Sequence, residues 1–213
     1  MTGVQTCALP ISSSVAPETA SAATLTVRAV VQAIERFDAV TVERELARAA
    51  ALLRAPDLLR TVIVPLLDEA GARWHAGRGR IAHEHLLSAS IRNILGSLLR
   101  LHQRDGVPDR LLFGTPSGER HEFGTLGAAV LASAGGLGAI YVGPDMPAEE
   151  LLAVAATVEL DAVVLGVTNH GDTARVTPEV AAVAAGLTPR VELWLGGPGA
   201  GRLAALVPRA RAL

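Results

Sequence analysis

Leu111-Leu112-Phe113-Gly114, then Gly118-Glu119-Arg120-His121-Glu122-Phe123-Gly124, reads as a strand, a polar loop and a helix start, with apolar periodicity continuing from Phe123 to Leu131. Open α/β sheets present ligands at junctions of this kind. His121 can offer a neutral imidazole to a metal, and Glu119, two residues earlier, can hydrogen-bond the far ring nitrogen and fix the tautomer. Taken alone, such a histidine is more often a solvated loop residue, so the rest of the chain decides.

Outward from this stretch, apolar strands alternate with helical patterns. Strands read at about 110–114, 139–142, 162–167 and 191–195; helices read at about 121–134, 148–159, 178–185 and 199–207. Alternation of this sort implies parallel pairing through right-handed crossovers, and strands so continuously apolar suit a sheet covered on both faces. Four strands are legible where a flavodoxin-like sheet has five, so a C-terminal truncation is expected. The loops at the strand C-termini carry His121 after the first strand, Thr168-Asn169-His170 after the third, and Gly196-Gly197-Pro198-Gly199 after the fourth. Glycines there let a backbone approach a bulky ligand, and equally they make plain turns.

The preceding half is helical. Val27, Val30, Val31, Ile34 and Phe37 recur at helical spacing, with Asp38 ending the run; Val42, Leu46, Ala49, Ala50 and Leu53 mark a second helix over about 40–54. Pro56 and Asp57 suit the start of a third, which Pro65 should bend and Gly77 and Gly79 should break. A fourth begins near Ile81 and continues to Leu99. Short loops make this an antiparallel four-helix bundle over 24–105, with Pro108 opening the α/β domain over 108–213. Trp74-His75 and Glu84-His85 gather an indole, two imidazoles and a carboxylate at the ends of helices three and four. Local packing and solvation would explain them in isolation. His83-Glu84-His85 lacks the i, i+4 histidine pair of a zinc helix.

Composition narrows the field. The chain has 213 residues, half of them apolar, and a net charge of −2, which supplies no strong field for bare nucleic acid. The single cysteine, Cys7, excludes a disulfide framework and makes a reducing, cytoplasmic setting the default. No apolar run reaches membrane-spanning length, and no membrane partner is expected. Residues 1–22 lack the basic segment of a signal peptide, and they read as a disordered or non-native leader.

Glu119-x-His121-x-x-Gly124, 41 residues, Gly166-x-Thr168, 27 residues, then Gly196-Gly197 resembles the cobalamin-binding pattern Asp/Glu-x-His-x-x-Gly, Ser-x-Leu/Thr, Gly-Gly. Gly166 departs from the family's serine, so a hydroxyl contact to the cofactor's nucleotide tail is missing at that position. Trp74, nine residues, then Glu84-His85 is similar to the cap motif of light-sensing, cobalamin-dependent repressors of the MerR class (CarH or LitR type). That likeness covers 25–213 and implies a helical cap joined to a flavodoxin-like, Rossmann-type domain that together bind adenosylcobalamin. It implies His121 as lower axial cobalt ligand backed by Glu119, Trp74 over the adenosyl group, and Glu84 and His85 lining its pocket. His75 matches the upper ligand that such photoreceptors use after light breaks the cobalt–carbon bond.

The resemblance therefore implies a light-responsive sensor region of a transcriptional regulator rather than an enzyme. Its DNA-binding helix-turn-helix is not legible in this chain, and homo-oligomerisation is expected of the full-length protein. Two other readings stay open: a corrinoid carrier subunit of a methyltransferase system, and a cobalamin sensor indifferent to light. The Trp74-His75 and Glu84-His85 cap argues against a carrier, whose upper face must open to a partner enzyme.

Overall fold

The computed structural model describes residues 17–76, 80–168 and 173–213, and for 17–20, 74, 75 and 173 the backbone only. The expected leader over 1–16, the helix break at Gly77 and Gly79, and Asn169 and His170 lie outside the described residues. By its contacts the chain divides into 1–86 and 87–213.

In the first unit, α1 spans Pro17–Glu35 and α2 spans Ala39–Leu52. Residues 17–22, expected in the leader, are helical: Pro17 has the φ a first helical turn needs, and the alanines that follow favour the helix. Ala23, Val30 and Ala33 on α1, and Val42, Leu46 and Ala49 on α2, are buried. Between them Asp38 N–H bonds to Ala33 O and Phe37 N–H to Ile34 O, closing α1 in a Schellman turn. Phe37 occupies its left-handed position at φ 55° and is half exposed, with its ring tilted against His83 at 4.5 Å. Helical spacing had placed Phe37 on the inner face, but the turn ends the helix before it. Asp38 starts α2 rather than merely ending α1, its carboxylate accepting Thr41 N–H at 3.0 Å.

The third helix is one run in three parts: α3 (Ala55–Leu58), a π-helical turn (Leu59–Ile63) and α4 (Val64–His75). Pro65 has no amide to donate, and its ring crowds the carbonyl one turn back. The ladder accommodates it by widening, so that Val64 N–H reaches Leu59 O. The bend expected at Pro65 is therefore a register change just before it. Leu58, Val62, Ile63 and Leu66 remain buried through the change. α5 (Ile81–His102) gives its first residues to this unit and the rest to the second.

The second unit carries a wholly parallel sheet. β1 (Arg110–Pro116), β2 (Gly138–Met146), β3 (Ala162–Gly166), β4 (Glu192–Gly196) and β5 (Ala210–Ala212) lie in the order β2-β1-β3-β4-β5. Their connecting helices are α6 (Phe123–Ala134), α7 (Ala148–Thr157), α8 (Thr173–Gly186) and α9 (Ala200–Leu206). Right-handed crossovers place α6 on one face and α7, α8 and α9 on the other. Leu151, Val180, Val183 and Leu203 from that second group form one core with Leu112, Val163, Leu165, Leu193 and Leu195 of the strands. The strand order reverses between β1 and β3, and the crevice at their C-terminal ends is where such sheets bind ligands.

β5 is the fifth strand that was not legible in the sequence. Ala210-Arg211-Ala212 has no apolar run to announce it, and it forms because β4 offers an unpaired edge. Arg209 holds this corner: its guanidinium donates to Ala184 O at 2.8 Å, Leu187 O at 2.5 Å and Val191 O at 3.2 Å, and also to Thr188 O. These are charge-assisted bonds to carbonyls at the end of α8 and in the loop that follows it. Arg209→Ala should lower unfolding free energy by about 1–2 kcal/mol in denaturant titration, and an unchanged midpoint would refute that role. Among the described residues no helix is long and apolar enough to cross a membrane.

Candidate functional site

The site starts where β1 ends. Glu119 N–H bonds to Pro116 O, making a tight turn in which Gly118 takes φ 89°, a conformation that suits glycine. The end of β2 stitches this turn down. Gly118 N–H donates to Asp145 Oδ1 at 2.8 Å, and Asp145 N–H donates to Thr115 Oγ1 at 2.9 Å. The fully buried Thr115 hydroxyl in turn donates to Glu119 O at 2.5 Å. Backbone held from both sides aims the next side chains with little freedom.

Glu119 points inward and is completely buried. Its Oε1 accepts His121 N–H at 2.9 Å and lies 2.5 Å from His121 Nδ1; its Oε2 accepts Thr168 N–H at 2.8 Å and the Thr168 hydroxyl at 2.6 Å. Burial pushes this carboxyl up, but the Thr168 and His121 donors together outweigh it and hold it below its ordinary value. An ionised carboxylate only accepts, so Nδ1 carries a proton and, in the neutral tautomer, the metal-binding nitrogen is Nε2. The contact anticipated from the two-residue spacing is present. The His121 side chain is 57 % exposed while Glu119 behind it is 1 % exposed. One outward imidazole backed by one buried carboxylate suits a metal that carries its own equatorial ligands.

Glu122, which sequence reasoning passed over, fastens the other end of the loop. Arg92 on α5 donates through Nε to Glu122 Oε1 at 2.7 Å, and the Tyr141 hydroxyl on β2 donates to Oε2 at 2.5 Å. Burial, and then the bond to Glu122, drive the Tyr141 pKa far upward, so the phenol stays a donor. Arg92 also lies 5.6 Å from the centre of the Phe123 ring. No short-range pattern links residues 30 and 19 positions apart, so Arg92, Glu122 and Tyr141 had no signal beyond a charged residue next to the histidine.

The glycines of the pattern separate into two kinds. A Cβ on Gly197, whose φ is 98°, would stand 2.5 Å from Val167 O, and one on Gly199 2.6 Å from Thr168 O, so the protein itself demands both. A Cβ on Gly124 or Gly196 would meet nothing within 4 Å. Those two have open space where a side chain would stand, as close approach by a broad ligand requires. Gly166 is different again: its Cβ would fall 1.7 Å from Thr125 Oγ1.

Thus Glu119, His121 and Thr168 come together, and Gly166, Gly196 and Gly197 line the neighbouring strand ends. Trp74 and His75 are the last two residues of α4, with side chains outside the described residues. Glu84 and His85 are exposed in the first turn of α5.

A wholly parallel five-stranded sheet in this order, with this imidazole at its switch point, defines a protein of Rossmann-like fold. Residues 26–99 match the family model of the B12 binding domain. The chain is 28% identical over 165 residues to the HTH-type transcriptional repressor CarH of Myxococcus xanthus, covering 78% of this chain and 55% of the repressor. By that match and that relative the chain is similar to a CarH-type cobalamin-binding region, and it spans about half the length of the repressor. Among solved structures, the monomethylamine corrinoid protein of Methanosarcina barkeri superimposes with a TM-score of 0.68 at 16% identity, over 89% of this chain and 92% of that one. At that identity the likeness concerns the fold.

Proposed function

We propose that this chain is the adenosylcobalamin-binding, light-responsive sensor region of a transcriptional regulator and has no catalytic activity of its own. The observation that carries the cobalamin part is the His121 imidazole, more than half exposed and held through Nδ1 by the buried Glu119 carboxylate. The imidazole–carboxylate pair and the open space at Gly124 and Gly196 both fit a corrinoid. Bound adenosylcobalamin would supply a cobalt–carbon bond that light breaks.

The chain's residues do the rest. His121 would be the protein's ligand to cobalt, and Glu119 and Thr168 would keep its ring in one tautomer and orientation. Trp74 would pack over the adenosyl group, Glu84 and His85 would line its pocket, and His75 would offer a replacement imidazole after illumination. Exchange of an adenosyl group for an imidazole is a differential contact able to bias a two-state assembly. The CarH likeness supports the regulatory part: operator DNA would be read by a helix-turn-helix elsewhere in a longer, oligomeric, cytoplasmic protein.

The test is to mix the chain with adenosylcobalamin in darkness and record absorbance and sedimentation before and after green light. The expected result is a light-driven change to a bis-imidazole spectrum that is lost in His75→Ala. A spectrum indifferent to light removes the photoreceptor reading and leaves a cobalamin sensor.

A further inference from the structure

Thr125 stands in the first turn of α6, four residues after His121, and is 4% exposed. Its hydroxyl is buried and, among the described residues, has no hydrogen-bond partner. A threonine in a helix can satisfy its hydroxyl on the carbonyl four residues back. This one does not; it turns toward the end of β3, into the space that any side chain on Gly166 would fill. The Cβ of a residue there would lie 1.7 Å from Thr125 Oγ1 and 3.4 Å from Thr115 Cγ2. Glycine at 166 and the orphan hydroxyl at 125 therefore belong together. A buried polar group left unpaired is costly, so a ligand that brings an acceptor to it gains a hydrogen bond.

The chemistry of that partner follows from His121, so the inference rests on the cobalamin reading above. When a protein imidazole takes the lower position on cobalt, the cofactor's own benzimidazole is released, and the nitrogen that had bound cobalt becomes an unpaired acceptor. The crevice between the ends of β1 and β3 is the place beneath the corrin where such a base can enter. We infer that the Thr125 hydroxyl is the donor that receives the nitrogen of the displaced base. The hydroxyl absent from Gly166 is thereby supplied from α6, and the site selects corrinoids whose lower base carries a nitrogen acceptor. Thr125 is a specificity residue of the nucleotide tail and does not touch cobalt.

The experiment compares dissociation constants, from absorbance titration, for cobalamin and for cobinamide, a corrinoid without the nucleotide loop. Thr125→Val, which keeps the shape and deletes the hydroxyl, should weaken cobalamin binding by about five- to tenfold and leave cobinamide unchanged. Thr125→Ser should retain cobalamin affinity, and Thr125→Ala combined with Gly166→Ser should restore most of it. The cofactor-free Thr125→Val protein should melt at or above the wild-type temperature, because it loses an unpaired buried group. A lower melting temperature, or equal effects on the two corrinoids, would overturn the inference by making Thr125 structural. If the wild-type chain binds both corrinoids and Thr125→Val binds both as well as it does, only this inference falls. If the wild-type chain binds neither, the cobalamin reading falls with it.

Discussion

His121→Ala is expected to weaken cobalamin binding by at least about a hundredfold, since loss of even a supporting partner behind a metal ligand costs ten- to a hundredfold. The fold should hardly notice. The imidazole is 57 % exposed, and Glu119 keeps the His121 amide and both Thr168 donors, so unfolding free energy should change by less than about 1 kcal/mol. Any cofactor still taken up should keep its own base on cobalt and show that base's absorption spectrum. Equal affinity with an unaltered lower-ligand spectrum would remove His121 from the coordination sphere. The open space at Gly124 and Gly196 would then have to serve another ligand.

Glu119→Gln should damage both fold and site, which separates it from the histidine variant. The carboxylate accepts from four donors: two amides, a hydroxyl and Nδ1. A glutamine offers one carbonyl oxygen and an NH2, so one pair of donors must face another donor inside a buried site. A loss of about 2–3 kcal/mol in stability is expected, with cobalamin affinity down about ten- to a hundredfold because the ring is no longer held in one tautomer. Denaturant titration and binding titration on one preparation would check the pair, and unchanged stability would contradict the geometry.

Acid offers a second check of the same carboxylate. Its folded pKa lies below the ordinary value, so its stabilisation is fully present above the unfolded carboxylate pKa, about 4.3, and is lost as pH falls through the folded value. From pH 7 down to about 5 this group should leave stability flat. Below about pH 4 the wild type should lose stability more steeply than Glu119→Gln, which has no proton to take up there. Parallel acid curves for the two proteins would show that the carboxylate is not held ionised.

What could be read from the chain was whatever depends on neighbours close in sequence. Alternation of apolar strands with helical periods gave four of the five strands and the α/β class, because strand and helix each impose their own period on buried residues. Glu119 and His121 are two residues apart, so their hydrogen bond needs only a local turn and was visible beforehand. Asp38 was seen only as the end of one helix, because its capping of the next is set by a left-handed Phe37 that no periodicity marks.

The longer-range contacts were settled by tertiary structure. Thr168 reaches Glu119 across 49 positions because β1 and β3 pair in parallel and end together, a register that neither strand states alone. Asp145 meets Gly118 and Tyr141 meets Glu122 because β2 pairs with β1 in parallel, while Arg92 comes to Glu122 from α5. β5 exists because β4 has a free edge, and Gly166 acquires its meaning only beside Thr125, which a helix start carries into its vacant side-chain space. Sequence determined which groups carry chemistry and the period in which they fold; packing of distant strands decided which of those groups touch, since a ladder's register is a property of two segments at once.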